Sequence, residues 1–139
     1  MTQERANHVL SMIETMAQNG TAPEEGCSLF GVGFDAAFEK LRNKYIRDQF
    51  KRGRSSEKFI VGPFGSGKSH FLHQLIEVAR SESCVTAKVT LNKNVDFTRY
   101  MLVFREIAHE LRTPRSQRHG IRALIQEAVA YKRNQVPDN

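Results

Sequence analysis

The chain reads as an α/β protein whose strands run parallel, and four consecutive stretches predict this. A short apolar run, Lys58-Phe59-Ile60-Val61, has the length and composition of a buried strand and ends where glycines begin. A glycine-rich loop follows, Gly62-Pro63-Phe64-Gly65-Ser66-Gly67-Lys68-Ser69. After it, Phe71, Leu72, Leu75, Ile76 and Ala79 recur at helical steps, placing one apolar face on a helix from about 68 to 81. Cys84-Val85-Thr86-Ala87-Lys88-Val89-Thr90-Leu91 alternates as a second strand would. The unit from about 57 to 91 is therefore strand, helix, strand, and parallel strands need such a crossover between them.

The remaining elements are read in chain order. Val9, Leu10, Ile13, Met16 and Ala17 predict an amphipathic helix over about 3 to 18, with Asn19-Gly20 as its C-terminal stop. Thr21-Ala22-Pro23-Glu24-Glu25-Gly26 is a polar turn, and Cys27 to Gly33 a short apolar stretch. Phe34, Ala37, Phe38, Leu41 and Tyr45 share a face of a second helix that ends near Gly53. Beyond the second strand, Tyr100, Phe104, Ile107, Ala108 and Leu111 define a helix stopped by Thr113-Pro114. A last helix, about 117 to 132, carries Ile121, Leu124, Ile125, Ala128 and Val129. The expected organisation is a helical segment, 1–53, packed on a partial nucleotide-binding core, 54–139.

The loop satisfies G-x-x-x-x-G-K-[ST], the phosphate-loop or Walker A pattern. Gly62, Gly65 and Gly67 let the backbone turn its amides inward around an anion, and Pro63, Phe64 and Ser66 complete the circuit. The helix that follows directs unpaired first-turn amides and the positive end of its dipole at the same place. Lys68 would reach the β- and γ-phosphates, and the Ser69 hydroxyl would supply a ligand to Mg²⁺. The plainer reading is a Gly-Ser turn before a surface helix, with Lys68 solvated. Phe64 either shields the phosphates or plugs an apolar edge. His70 and His73 lie three apart on the helix without a third ligand at metal spacing, which suits packing or surface roles.

With 139 residues the chain holds one core, and 40% hydrophobic with 26% charged residues is ordinary for a globular domain. No apolar run approaches the roughly 20 residues needed to span a bilayer, and the first residues lack signal-peptide order, so a cytoplasmic protein with no membrane is expected. Cys27 and Cys84 are isolated and read as reduced thiols. Of the net charge of +6, the densest basic part lies at 40–58: Lys40, Arg42, Lys44, Arg47, Lys51, Arg52, Arg54 and Lys58, with Glu39, Asp48 and Glu57 in or beside it. It is either a DNA-binding surface or the solvated face of a helix. Arg99, Arg105 and Arg112 are open to the same two kinds of reading, an arginine finger toward a neighbouring subunit or solvated charge.

A hydrolytic phosphate-loop enzyme needs a second acid at the end of an apolar strand. No such strand follows Leu91: Asp96 comes after Asn92-Lys93-Asn94-Val95, Asp138 lies in the polar tail, and Glu106 and Glu110 fall on a helix. The catalytic residues are thus unassigned. Two explanations stand, a truncated front half of a longer ATPase, or a small protein completed by a partner chain.

The run from Phe59 to Leu72, then Val89-Thr90-Leu91-Asn92, then Tyr100 through Phe104-Arg105-Glu106 and Leu111-Arg112-Thr113-Pro114, resembles the ATP-binding proteins of BREX phage-defence systems. Pro23-Glu24-Glu25-Gly26 and Gly31-Val32-Gly33 resemble that family's approach to its nucleotide domain. The family is similar to AAA-type and origin-recognition-like ATPases. The resemblance implies a P-loop NTPase fold binding ATP with Mg²⁺, phosphates on Gly62 to Ser69, the base or ribose near Gly31, Val32 and Gly33, and protein partners or a homo-oligomer acting on DNA. Three functions follow as expectations. The first is the ATP-binding portion of a P-loop ATPase. A small-molecule or nucleotide kinase is the second, and a non-catalytic nucleotide-binding assembly module the third.

Overall fold

A computed structural model describes residues 3–20, 26–29, 31, 33–92, 95–114 and 118–135. Among the described residues five α-helices carry the fold: α1 (Gln3–Asn19), α2 (Asp35–Lys40), α3 (Lys68–Ser81), α4 (Tyr100–Glu110) and α5 (Ile121–Arg133). The chain divides into two compact units, Met1–Val78 and Ala79–Asn139.

In the first unit, α1 ends as its sequence requires. Gly20 takes a φ of 61° and its amide donates to the Met16 carbonyl at 2.9 Å, closing the last turn with the residue that enters the left-handed region at least cost. The second helical stretch is continuous from Phe34 to Gly53 but changes register twice. It is α-helical through Lys40, becomes a π-helix over Leu41–Gln49, and tightens to a 3₁₀ turn at Phe50–Arg52. Gly53, with a φ of 69°, stops it. The wider i→i+5 register normally occurs as a single-turn bulge, so nine residues of it are unusual.

The apolar centre of this unit lies where that stretch meets α3. Phe38, buried, stacks on Phe71 with ring centroids 4.6 Å apart, and Phe34 meets both rings edge-on at 6.3 and 5.3 Å. Aromatic pairs of this kind contribute about 0.5–1.5 kcal/mol each beyond the area they bury. Ile46, Met12 and Val78 are also buried. Cys27 is fully buried in a 3₁₀ turn, Cys27–Leu29, and that turn is tied to α3 by one carboxylate. Glu77 accepts from the Cys27 amide through Oε1 at 2.8 Å and from the Ser28 amide through Oε2 at 3.1 Å.

In the second unit, outside the helices, the described residues form isolated β-bridges. Thr86 and Arg112 exchange both of their hydrogen bonds, at 2.9 and 2.7 Å, and Arg112 also bridges His119. The Gly120 amide donates to the Leu111 carbonyl at 2.7 Å. Thr113, buried, donates its hydroxyl to Glu127 of α5 at 2.5 Å, and Ala123 is the buried apolar residue of α5. Neither Cys27 nor Cys84 is in a disulfide. Among the described residues no helix is long and apolar enough to cross a membrane.

The α/β expectation is corrected by these observations. Among the described residues there is no β-strand, so there is no parallel sheet and no P-loop NTPase fold. The run 58–61 forms no ladder: Phe59 is 88% exposed and Val61 92%. The run 84–91 is irregular except for the bridge at Thr86. The physical reason is that a strand exists only when another segment takes up its amides and carbonyls, and apolar composition cannot supply that segment. Helices close their hydrogen bonds internally, so helical periodicity survived where strand periodicity did not.

Candidate functional site

The glycine loop and the start of α3 form the candidate site. Gly65 and Gly67 have φ of 79° and 80°, conformations that residues with a Cβ rarely adopt. Gly62 is needed for a different reason: a Cβ there would lie 2.7 Å from the Ser66 hydroxyl. The Ser66 amide donates to the Pro63 carbonyl at 3.3 Å, which makes the loop a closed turn. Helix α3 begins at Lys68, and the Phe71 amide donates to the Gly67 carbonyl at 2.9 Å, an i→i−4 bond at its first turn.

Lys68 folds back over the loop. Its ammonium donates to the Gly62 carbonyl at 2.9 Å and to the Pro63 carbonyl at 2.6 Å. The cation is therefore held by the first two carbonyls of the loop, and the helix it belongs to begins at the same residue, with first-turn amides that helix geometry leaves without intrahelical partners. Ser69 is exposed on the first turn, and Phe64 stands fully in solvent. Lys68 and Ser69 thus open α3 directly after the turn, while the strand that should have preceded the loop is not formed.

Of the expected base or ribose contacts, Gly31, Val32 and Gly33, it is Gly31 that lies against the middle of α3. Gly31 lies against Gln74, so closely that a Cβ would meet the Gln74 carboxamide oxygen at 2.3 Å. Gln74 is 7% exposed, and its Oε1 is a buried acceptor with no hydrogen-bond partner among the described residues. His70 Nε2, one turn earlier on the same face, is also buried without a partner. Buried polar atoms in this condition are uncommon and call for an explanation. Gly33 is exposed with a φ of 87°, and Val32 lies outside the described residues. Sequence reading missed Gln74, whose signal was a polar residue on the apolar face between Phe71 and Val78.

The candidate acids do not form a metal-binding set. Among the described residues no three His, Cys, Asp or Glu side chains come together in a way that could hold a metal ion. Asp96 is engaged in its own turn: its Oδ1 accepts from the Thr98 hydroxyl at 2.7 Å and the Thr98 amide at 2.9 Å. The hydroxyl bond first, and the amide bond second, hold its carboxyl below the usual carboxylate range. Glu106 pairs with Arg105 at 3.5 Å, and Glu110 with His109 at 3.3 Å. In the basic stretch, Arg52 pairs with Asp48 at 2.8 Å and Lys58 lies 4.4 Å from the centre of the Tyr45 ring.

The reading of this chain as the ATP-binding portion of a P-loop ATPase is corrected with the fold. A loop and helix without a sheet lack the strand ends on which such enzymes mount the hydrolytic acid, and the small-molecule kinase reading needs the same sheet. No curated protein and no solved structure matches the chain. Among protein families, residues 3–138 match the BREX system ATP-binding protein BrxC/D. With nearly the whole chain matched, glycine loop included, the chain belongs to the BrxC/D family of BREX system ATP-binding proteins.

Proposed function

We propose that this chain is a non-catalytic nucleotide-binding module of a BREX system, holding Mg-ATP on the loop 62–69 and presenting itself to protein partners or a second copy of itself. The observation that carries the reading is the posture of Lys68, whose ammonium is held by two loop carbonyls at the start of α3. A phosphate chain offers charged acceptors in place of those neutral carbonyls, and charge-assisted hydrogen bonds are roughly twice as strong. Gly65 and Gly67 give the loop the positive φ values with which backbone amides turn toward an anion. The residues present therefore fit a polyphosphate. Ser69 would contribute one oxygen to Mg²⁺, with the phosphates supplying others.

Gln74 supports an adenine nucleotide. It lies six residues beyond Lys68 on α3, about 9 Å along the axis at 1.5 Å per residue, with Gly31 against it. Its unpaired Oε1 is an acceptor for an exocyclic amine, so the base would lie near Gly31 to Gly33. Binding without turnover follows from the lack of converging acids among the described residues. The exposed basic side chains of 40–58 are a DNA-facing surface in the same reading.

Calorimetric titration of Mg-ATP into the chain and its Lys68→Ala variant, with phosphate release followed on the same samples, tests this. Saturable binding without phosphate release is expected, and the variant should bind at least tenfold more weakly. Equal affinity in the variant overturns the loop assignment, and turnover overturns the non-catalytic reading.

A further inference from the structure

Between Glu110 and Glu127 the chain carries Arg112, Arg115, Arg118, His119 and Arg122 and no acidic residue at all. Every fixed cation there is arginine, whose planar fork matches the oxygens of a phosphate better than the point charge of lysine. The fold gathers part of this run. Arg118, His119, Arg122 and Gln126 line one open pocket of about 440 Å³, with Ala123 as its apolar floor. Neither of the two acids that bracket the run lines the pocket: Glu110 meets His109, and Glu127 accepts from Thr113.

The pocket is pinned by backbone. His119 bridges Arg112, which bridges Thr86, and the Gly120 amide is fixed on the Leu111 carbonyl at 2.7 Å. Gly120 has a φ of 91° and a Cβ there would touch the His109 carbonyl at 3.6 Å, so glycine suits the corner that turns the chain into α5. The His109 and His119 rings meet at 5.4 Å between centroids, tilted by 40°. Two guanidinium groups, an imidazole and a carboxamide donor are thus set around one hollow on a fixed backbone.

We propose that this pocket is a second anion site, separate from the glycine loop, and that it takes the terminal phosphate dianion of a small molecule. A dianion suits the two arginines better than the single charge of a phosphodiester, and a single pocket suits a compact group better than a strand. The site does not depend on the reading of the loop 62–69.

The test uses the full chain, with amide, arginine side-chain and imidazole resonances followed while inorganic phosphate is added at constant ionic strength. Saturable shifts centred on Arg118, His119 and Arg122 are expected, persisting in Lys68→Ala. The pair Arg118→Gln and Arg122→Gln should weaken that binding at least tenfold while amide resonances elsewhere stay in place. Shifts that are unsaturable, that chloride reproduces, or that survive the double substitution overturn the proposal. Tight binding of a short DNA duplex at these residues with no saturable response to phosphate also overturns it, in favour of a backbone contact.

Discussion

The glycine loop with α3 and the run that precedes it differ in how their backbones are satisfied. From Pro63 to Ser81 the chain closes on itself, through the Ser66–Pro63 turn, the Lys68 ammonium on two carbonyls and the α-helical ladder of α3. From 58 to 61 it has no ladder, and Phe59 and Val61 face solvent. The two regions adjoin, yet one is built from bonds no more than six residues apart and the other depends on a distant segment. Local closure is available to a short stretch of sequence by itself. Ladder closure is a property of two stretches, and it carries a loop-closure cost that only the second stretch can offset.

The comparison extends along α3. Helix α3 is local in its ladder but anchors a distant turn through Glu77, whose two oxygens take the amides of Cys27 and Ser28 some fifty residues away. This contact should be the strongest single non-local device in the first unit. Glu77→Ala is expected to cost about 2 kcal/mol, since it removes a charged acceptor from the part-buried Cys27 amide and from the exposed Ser28 amide of the turn that holds a fully buried cysteine. Urea denaturation followed by circular dichroism measures it. A loss below about 0.5 kcal/mol would mean that water replaces the carboxylate and that the first unit, too, is held mainly by local structure.

A smaller effect is expected at Gly31. The Cβ of Gly31→Ala would collide with the Gln74 carboxamide, which is buried and cannot swing freely into solvent. A cost of about 1–2 kcal/mol should result, and most of it should vanish when Gln74→Ala is the background, giving a coupling of at least 0.5 kcal/mol. Additive costs would show that the two residues are not in the contact described. In that event the nucleoside end of the proposed nucleotide site loses its support, while the phosphate end does not.

How much of this was legible in the sequence follows the same division. The periodicity of Phe71, Leu72, Leu75, Ile76 and Ala79 placed α3 at its observed bounds, and Asn19-Gly20 located the end of α1, because both depend on residues within a turn or two. The pattern at Tyr100 to Leu111 likewise gave α4. The positive φ of Gly65 and Gly67 was legible for the same reason, since a glycine-rich turn is a local feature. The apolar runs at 58–61 and 84–91 were legible only as candidates for pairing, and nothing in either run states whether a partner exists. The role of Glu77 was illegible for a further reason: its partners, the amides of Cys27 and Ser28, are remote in sequence and are backbone groups, which leave no side-chain signature, and Gln74 showed only as a polar residue on an apolar face, with nothing to point to Gly31.

The smallest effect expected is also the sharpest test of the comparison. Phe59→Ser with Val61→Ser removes two large apolar side chains, a change that costs several kcal/mol where such residues sit in a sheet interior. Here both are almost fully exposed and belong to no ladder, so the stability of the chain should change by less than about 0.5 kcal/mol in denaturant unfolding. Loop geometry should be untouched as well, because Lys68 is held by the carbonyls of Gly62 and Pro63 and not by residues 59 to 61. The Mg-ATP affinity of this double variant should therefore equal that of the parent. A marked loss of stability would mean that 58–61 finds a partner within the chain in solution. Loss of affinity at unchanged stability would mean instead that the loop borrows its shape from the run before it, and the contrast between self-closing and partner-dependent backbone would no longer fall at Gly62.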